Sequence, residues 1–253
     1  MKCKLIFAAL LPLVCIAAPA ADAPQLKART WTAKNGDTVE AALVKHESYS
    51  VTLKLTDGKI TRISPSDLSK EDQAYLAQVK EFLKYAGAEH STDILKCQNL
   101  TFRCSSEGNL FIDAPGYHPS AGSGPITAYI RDPQDFIDTL DKGLEWCRIA
   151  KQDNAEADDR ELFSSLRQQL QCLEGMSIKF RSKDKSTGLR GSTITPELCV
   201  YLYEEKFPYT LSASATLSET DLKTIVAALK KVPFSLLKEH AESKKKKEAD
   251  LFK

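Results

Sequence analysis

The first third of the chain alternates apolar and polar residues over short stretches. Val51, Leu53 and Leu55 alternate with polar residues, which is the period of a half-buried β-strand. Asn35-Gly36 and Asp57-Gly58 are strong hairpin signals, because tight hairpin turns need residues that accept positive φ. Four or five short strands within about 35 residues therefore predict a small β-barrel, since closure removes exposed strand edges.

A helix is predicted directly after these strands. Ser69 is placed to cap it and Asp72 to return a hydrogen bond, as in a capping box, and Gly87 is placed to end it. Between them lies an apolar stripe formed by Tyr75, Leu76, Val79, Phe82 and Leu83. A barrel this small has little interior of its own, so we expect the helix to pack against its open end. The predicted first domain spans residues 29–87.

Residues 90–235 predict a second α+β domain. A hairpin is expected around Glu107-Gly108, and a helix begins at Asp132, with Pro133 in its first turn. The apolar spacing in residues 159–174 predicts another helix. The last helix is capped by Ser218 and ended by Pro233.

Two segments of this second region share one order of elements. Each runs from strands through an acidic cap into an amphipathic helix. Two such units predict an antiparallel sheet with helices on one face. Residues 236–253 form a charged tail that includes Lys244 to Lys247. We expect this tail to be solvated and partly disordered; contact with an anionic membrane or polymer is the alternative.

The start of the chain is typical of an export signal. Residues 1–20 run from basic residues through an apolar stretch to Ala18-Pro19-Ala20, the order of a cleavable signal peptide, and residues 21–28 are read as a linker. A retained anchor is the alternative, whereas a lipoprotein at Cys15 is disfavoured because no small residue precedes it. We therefore expect a periplasmic or extracellular protein.

The composition of the chain restricts the classes of function that are open to it. The chain has 253 residues and a formal net charge of +1, so no overall field favours nucleic acid. Cleavage would leave five cysteines, Cys97, Cys104, Cys147, Cys172 and Cys199. An exported protein can form disulfides, but an odd number leaves one thiol unpaired. A disulfide framework and a set of buried thiols both stay open.

No catalytic motif is present in the sequence. It contains no zinc-protease, nucleophile-elbow, phosphate-loop or dinucleotide-binding pattern. Cys97 and Cys104 with His118 do not have the spacing of a zinc site, and we expect no metal and no cofactor. An exported hydrolase remains the alternative, with its site in the second domain near His118, Tyr129 and Tyr201.

The strongest motif lies at the end of the first domain and reads Leu-Ser-x-Glu-Asp-Gln-x-Tyr. Together with residues further upstream, it resembles the first homology domain of the yeast endocytic adaptor Sla, a family that also occurs in exported bacterial proteins. The resemblance covers residues 29–77, about a fifth of the chain. The matching residues are Trp31, Gly36, Val39-Glu40-Ala41, Val51-Thr52-Leu53, Asp57-Gly58-Lys59, Leu68-Ser69 and Glu71-Asp72-Gln73-Ala74-Tyr75.

This resemblance implies an SH3-like barrel with a packed helix. In the yeast adaptor such a domain binds Asn-Pro-Phe-x-Asp peptides, and an acidic, aromatic peptide needs an apolar slot beside a cation. Lys54, Lys59 and Arg62 are the cations that this chain offers, although lysines on such a surface are commonly only solvated. Trp31 is expected in the core.

The sequence thus favours a secreted, non-enzymatic, adaptor-like protein that binds a peptide or protein. The exported hydrolase is the first alternative, and a structural component of the cell envelope is the second. The natural ligand, the oligomeric state and the role of the second domain do not follow from the sequence.

Overall fold

The computed structural model describes residues 26–120, 122–164, 167–169, 172–184, 194–206 and 209–251. The predicted signal peptide, residues 1–20, lies outside the described residues, as do residues 21–25 of the predicted linker. The fold is mixed α/β with antiparallel sheets, which confirms the predicted class.

The first domain is a four-stranded antiparallel sheet followed by a helix. The strands follow one another in sequence order across the sheet. Its elements are β1 (Arg29–Thr32), β2 (Thr38–Glu47), β3 (Ser50–Leu55), β4 (Ile60–Ile63), a single 3₁₀ turn (Pro65–Asp67) and α1 (Lys70–Ala86). The side chain of Ser69 caps α1 and Gly87 follows its last residue, so the bounds of this predicted helix are confirmed.

The sheet of this domain is open, and the closed barrel that we predicted is wrong. Closure would require β1 to pair with β4. Instead, the outer edge of β1 is taken by the segment that leads into α1: Ala33 bridges to Leu68, and the amide of Ser69 donates to the carbonyl of Thr32 at 2.8 Å. The edge of β1 is thus covered without strand closure.

Helix α1 contributes to two hydrophobic cores. Its first half places Leu76 and Val79 against the sheet of the first domain, around the buried Trp31. Its second half places Phe82 and Tyr85 in the core of the second domain. All four side chains are buried. The two domains therefore share one helix and are packed as a continuous unit.

The second domain is built on a larger antiparallel sheet. Its strand order is β10-β11-β12-β13-β7-β6-β5, with β8 paired to β7 and β9 paired to β11. The strands are β5 (Ser91–Cys97), β6 (Leu100–Ser105), β7 (Leu110–His118), β8 (Gly122–Ile130), β9 (Ala157–Ser164), β10 (Arg167–Gln169), β11 (Cys172–Asp184), β12 (Ile194–Lys206) and β13 (Tyr209–Ser218). Among the described residues, β13 meets β7 at one bridge, Ser212 to Tyr117.

The two strand-to-helix units predicted from the sequence are present. Strand β8 leads into α2 (Pro133–Asp153), and β13 leads into α3 (Glu219–Leu229). Asp132 caps α2, and Ser218 and Asp221 form the capping box of α3. Helix α2 packs on β12, β11 and β9, whereas α3 packs on α2, β5 and β13. Each half of the domain thus depends on the other for its core.

The helix predicted over residues 159–174 is wrong, because the described residues of this segment lie in β9, in β10 and at the start of β11. Asn154, in the left-handed conformation, ends α2, and the chain then pairs with β11, placing Phe163 opposite Ile178. Leu162 and Phe163 pack against the main core. Pairing satisfies the backbone groups at the edge of β11 and partly buries these two side chains.

The C-terminal tail is also different from the prediction. It forms α4 (Phe234–Leu251) rather than a disordered segment, because Phe234 and Leu237 are buried in the main core. The start of α4 lies on the turn between β6 and β7, where Gly108 has φ of +75° and a Cβ would lie 2.7 Å from the carbonyl oxygen of Phe234. None of the described helices is long and apolar enough to span a membrane.

Candidate functional site

One buried carboxylate fixes the start of α1 to β1. Asp72 is 2 % exposed and accepts hydrogen bonds from Nη2 of Arg29 at 2.8 Å and from the amide of Thr32 at 2.6 Å. The amide of Asp72 donates to Oγ of Ser69 at 3.2 Å. The predicted capping box therefore forms in one direction only, because the carboxylate of Asp72 holds β1 instead of the amide of Ser69. This contact orients the sheet on the helix.

Arg29 extends this contact across two aromatic rings. Its guanidinium carbon lies 4.0 Å from the ring centre of Tyr75 and 5.2 Å from that of Trp31. The indole Nε1 of Trp31 donates to the carbonyl of Ala41 at 3.0 Å. Trp31 is buried, which confirms it as a core residue. The outer face of the sheet is the face turned away from this core.

Two of the three predicted binding cations lie on that outer face. Lys54 pairs across the strands with Ile60, and Thr52 pairs with Arg62, so all four side chains point to the same side. Lys54 and Arg62 are exposed, and Ile60 is 64 % exposed. The structure therefore brings together an exposed apolar side chain and two cations.

Lys59 is not part of this group. It lies in the turn before β4, one residue out of phase with Ile60, and is 80 % exposed. Its ammonium contacts the carboxylate of Asp57 at 3.1 Å. The amide and the ammonium of Lys59 hold the pKa of Asp57 below its ordinary value. Lys59 is thus engaged with its own turn.

The neighbouring strand edge is open. Within the described part of the chain, β4 is paired with β3 alone. The amide of Leu55 donates to the carbonyl of Lys59 at 2.8 Å, and backbone groups alternate in direction along an antiparallel strand. The N–H and C=O groups of Ile60 and Arg62 therefore point away from β3. The two residues with exposed side chains also present the free backbone groups.

A separate cavity lies where the first domain meets α4. It measures about 210 Å³, and its polar lining includes Arg29, Tyr75, Glu239, His240 and Ser243. Burial raises the pKa of Tyr75, and the charge of Glu239 raises it further against the opposing effect of Arg29. The cavity is small, and of its two cationic lining residues, Lys27 and Arg29, the arginine already pairs with Asp72. Its contacts join parts of the fold.

His240 was missed by the sequence reasoning. Its ring meets the ring of Phe82 edge to face at 5.5 Å, and burial together with the charges of Lys244 and Lys247 lowers its pKa. The sequence signal for His240 is its helical spacing from two apolar residues, Phe234 and Leu237. These three residues lie on one face of the helix, one residue per turn. That face docks α4.

The alternative catalytic site is not assembled. His118 and Tyr129 lie at opposite ends of the β7–β8 hairpin, because Tyr129 pairs with Phe111 at the start of β7 and His118 ends it. Seven residues of strand separate these positions by about 24 Å. Tyr201 lies on β12, a different strand of the sheet. These three residues therefore do not share a pocket.

Comparison of this chain with family models, with curated proteins and with solved structures finds no match. The geometry of the described residues is therefore the basis for assigning a function.

That geometry contains no metal centre within the described ranges, where no group of three or more His, Cys, Asp or Glu side chains is placed to hold an ion. Four of the cysteines are free thiols: Cys97, Cys104, Cys147 and Cys199. The last three are buried, which favours the buried-thiol interpretation for them, whereas Cys97 is half-buried. The side chain of Cys172 lies outside the described residues. Burial raises the pKa of Cys97 and Cys147 to about 11 and that of Cys104 to about 12. These three thiols stay protonated and are poor nucleophiles.

Proposed function

We propose that this chain is an exported, non-enzymatic protein that binds peptides or proteins in the manner of an adaptor. One observation carries the proposal: Ile60, 64 % exposed, lies opposite Lys54 of β3 and two residues before Arg62, on a strand that pairs with β3 alone among the described strands. Exposed apolar surface beside cations and free backbone groups is suited to an extended acidic ligand.

The binding mode that this surface supports is addition of a peptide strand to β4. Free N–H and C=O groups of Ile60 and Arg62 would pair with the peptide backbone. Side chains of alternate peptide residues would then lie on the outer face, one against Ile60 and the next against Arg62. An apolar or aromatic residue and an acidic residue separated by one position fit this spacing.

The resemblance of residues 29–77 to the Sla homology domain supports the same proposal. That resemblance implies an SH3-like arrangement and peptides of the Asn-Pro-Phe-x-Asp type, in which an aromatic and an acidic residue are separated by one position. The signal-peptide pattern of residues 1–20 supports export. The ligand would therefore be a peptide segment met outside the cytoplasm.

The test is a binding titration of the full chain with a fluorescein-labelled Asn-Pro-Phe-x-Asp peptide. The full chain is needed because α1 is shared with the second domain, so residues 25–90 alone would lose part of their support. Arg62→Ala and Lys54→Ala are each expected to weaken binding about three- to tenfold, or about 0.7–1.4 kcal/mol, and more at low salt.

Lys59→Ala is the matched control, since Lys59 is an exposed cation of the same domain that lies in the turn and contacts Asp57. It should leave the affinity unchanged. Absence of binding by the folded chain, or an equal loss in the Lys59 variant, would refute the proposed surface.

A further inference from the structure

The outer face of the β6–β7–β8 sheet is open to solvent. Along β7, Leu110, Ile112 and Ala114 are buried in the core, and the residues between them point outward. The register between β7 and β8 runs without a bulge from one end of the hairpin to the other. The outward residues are Phe111, Asp113, Pro115 and Tyr117 on β7 and Tyr129, Thr127, Pro125 and Ser123 opposite them on β8. The core on the other side holds this strip rigid.

Aromatic side chains occupy both ends of the strip. Phe111 and Tyr129 lie together at one end, with ring centres 5.5 Å apart and planes tilted by 50°, and Tyr117 lies at the other. Tyr117 is 59 % exposed and Tyr129 is 51 % exposed. Six residues of strand place the two ends about 20 Å apart. Exposed tyrosines offer an apolar face together with a hydroxyl.

A shallow depression of about 360 Å³ lies along this strip on the side of Tyr117. Its lining includes Asn99, Thr101, Asp113, Pro115, Ser123 and Pro125. Amide, hydroxyl and carboxylate groups thus lie beside the apolar pyrrolidine rings of the two prolines. Such a lining can donate and accept many hydrogen bonds.

The charges on this face compensate each other. Nη2 of Arg103 donates to Oδ1 of Asp113 at 2.9 Å, and its Nε contacts the other carboxylate oxygen. The hydroxyl of Thr127 also donates to Asp113, at 2.7 Å. Arg103 further contacts the hydroxyl of Ser91. A charged ligand would have to disrupt this network, whereas a neutral ligand rich in hydroxyl groups matches it.

From this combination we propose that the outer face of β6–β8 binds a neutral polysaccharide chain. Pyranose rings have apolar C–H faces and hydroxyl-bearing edges. The C–H faces stack on Tyr117 and on the Phe111–Tyr129 pair, and the hydroxyls bond to Asn99 and Thr101. The length of the strip accommodates several linked rings. This function lies beyond the peptide-binding proposal and uses no residue of it.

The test is calorimetric titration of the full chain with three neutral probes: cellohexaose, chitohexaose and maltohexaose. At least one probe is expected to bind, with an affinity that does not change between low and high salt, because no net charge is involved. Tyr117→Ala and Tyr129→Ala are each expected to weaken binding about tenfold. The corresponding Phe variants should retain most of it, because the ring is kept.

Tyr49→Ala is the control, since Tyr49 is 90 % exposed in the turn between β2 and β3; it should bind as the wild type does. Arg62→Ala should also bind normally, which separates this proposal from the peptide site. Failure of all three probes would overturn the inference, as would salt-sensitive binding or an equal loss in Tyr49→Ala. Self-association in sedimentation that the Tyr117 and Tyr129 variants abolish, without glycan binding, would instead identify a contact between protein copies and overturn it as well.

Discussion

The buried carboxylate of Asp72 provides the sharpest test of how the first domain is held together. Asp72→Ala removes the acceptor of two hydrogen bonds, at 2.8 Å from Arg29 and 2.6 Å from the amide of Thr32. Removing one partner of a buried charged pair costs about 3–5 kcal/mol. Arg29 is 32 % exposed and recovers some hydration, and alanine adds about 0.5 kcal/mol of helix propensity. The expected loss in the free energy of unfolding is about 2–4 kcal/mol.

This loss can be measured by urea unfolding monitored through Trp31, in a Trp146→Phe background. Glu71→Ala, one position away and exposed, is the control and should cost less than about 1 kcal/mol. A double-mutant cycle with Arg29→Ala should give a coupling energy of about 1–3 kcal/mol. A loss for Asp72→Ala no larger than that for Glu71→Ala, or a coupling near zero, would refute the assigned role.

Three further predictions concern the packing of α4 and of the shared helix α1. Gly108→Ala should lower the free energy of unfolding in urea by about 2–4 kcal/mol, because left-handed backbone strain of about 1 kcal/mol adds to overpacking of about 1–3 kcal/mol against α4. In the control Gly58→Ala the new Cβ would meet nothing within 4 Å, so the loss should be that of the strain alone. Equal losses in the two variants would contradict this packing. Burial and two nearby lysines lower the pKa of His240 in the folded chain below its ordinary 6.5, so the unfolded chain takes up the proton first as the pH falls. The free energy of unfolding should therefore be intact above pH 6.5 and decrease below it. His240→Gln should reduce this decrease when unfolding is measured at pH 7.5 and 5.5. Unfolding curves from Trp31 and Trp146, recorded in single-tryptophan variants, should coincide because α1 belongs to both cores; two separate transitions would contradict a shared helix.

Local signals in the sequence were sufficient for the helix starts. Asp132 with Pro133, and Ser218 with Asp221, specify α2 and α3 through hydrogen bonds within one turn. Such contacts involve neighbours in sequence, so the pattern contains the whole interaction.

Signals that depend on distant partners were misread. Residues 159–174 have apolar spacing that suits a helix, yet β11 provides a strand partner that the pattern does not contain. Gly122 to Pro125 contains glycine, serine and proline, yet it forms the start of β8, because β8 pairs with β7 alone among the described strands and can tolerate a proline. The apolar face of α4 is short, and its partner Phe82 lies far away in sequence.

The candidate site likewise has one part that the sequence pattern predicts and one part that it does not. Lys54 and Arg62 share a face because the strand register places them there, and an alternating pattern is enough to predict that. Lys59 was grouped with them by charge, but one turn residue changes its phase and pairs it with Asp57. The free edge of β4 depends on what covers β1, which only the three-dimensional contacts of Asp72 and Ser69 reveal.

The two edges of the small sheet thus differ in a way that bears on binding. The β1 edge is occupied by the start of α1, through Ser69 and Asp72, and α1 leads directly into the second core. The β4 edge lies on the far side of the sheet, with β2 and β3 between β1 and β4. A peptide strand added at β4 would extend the sheet without breaking any contact that joins the domains. The proposed recognition at β4 would therefore require no separation of the two cores, because the edge that it uses is not the one that the shared helix occupies.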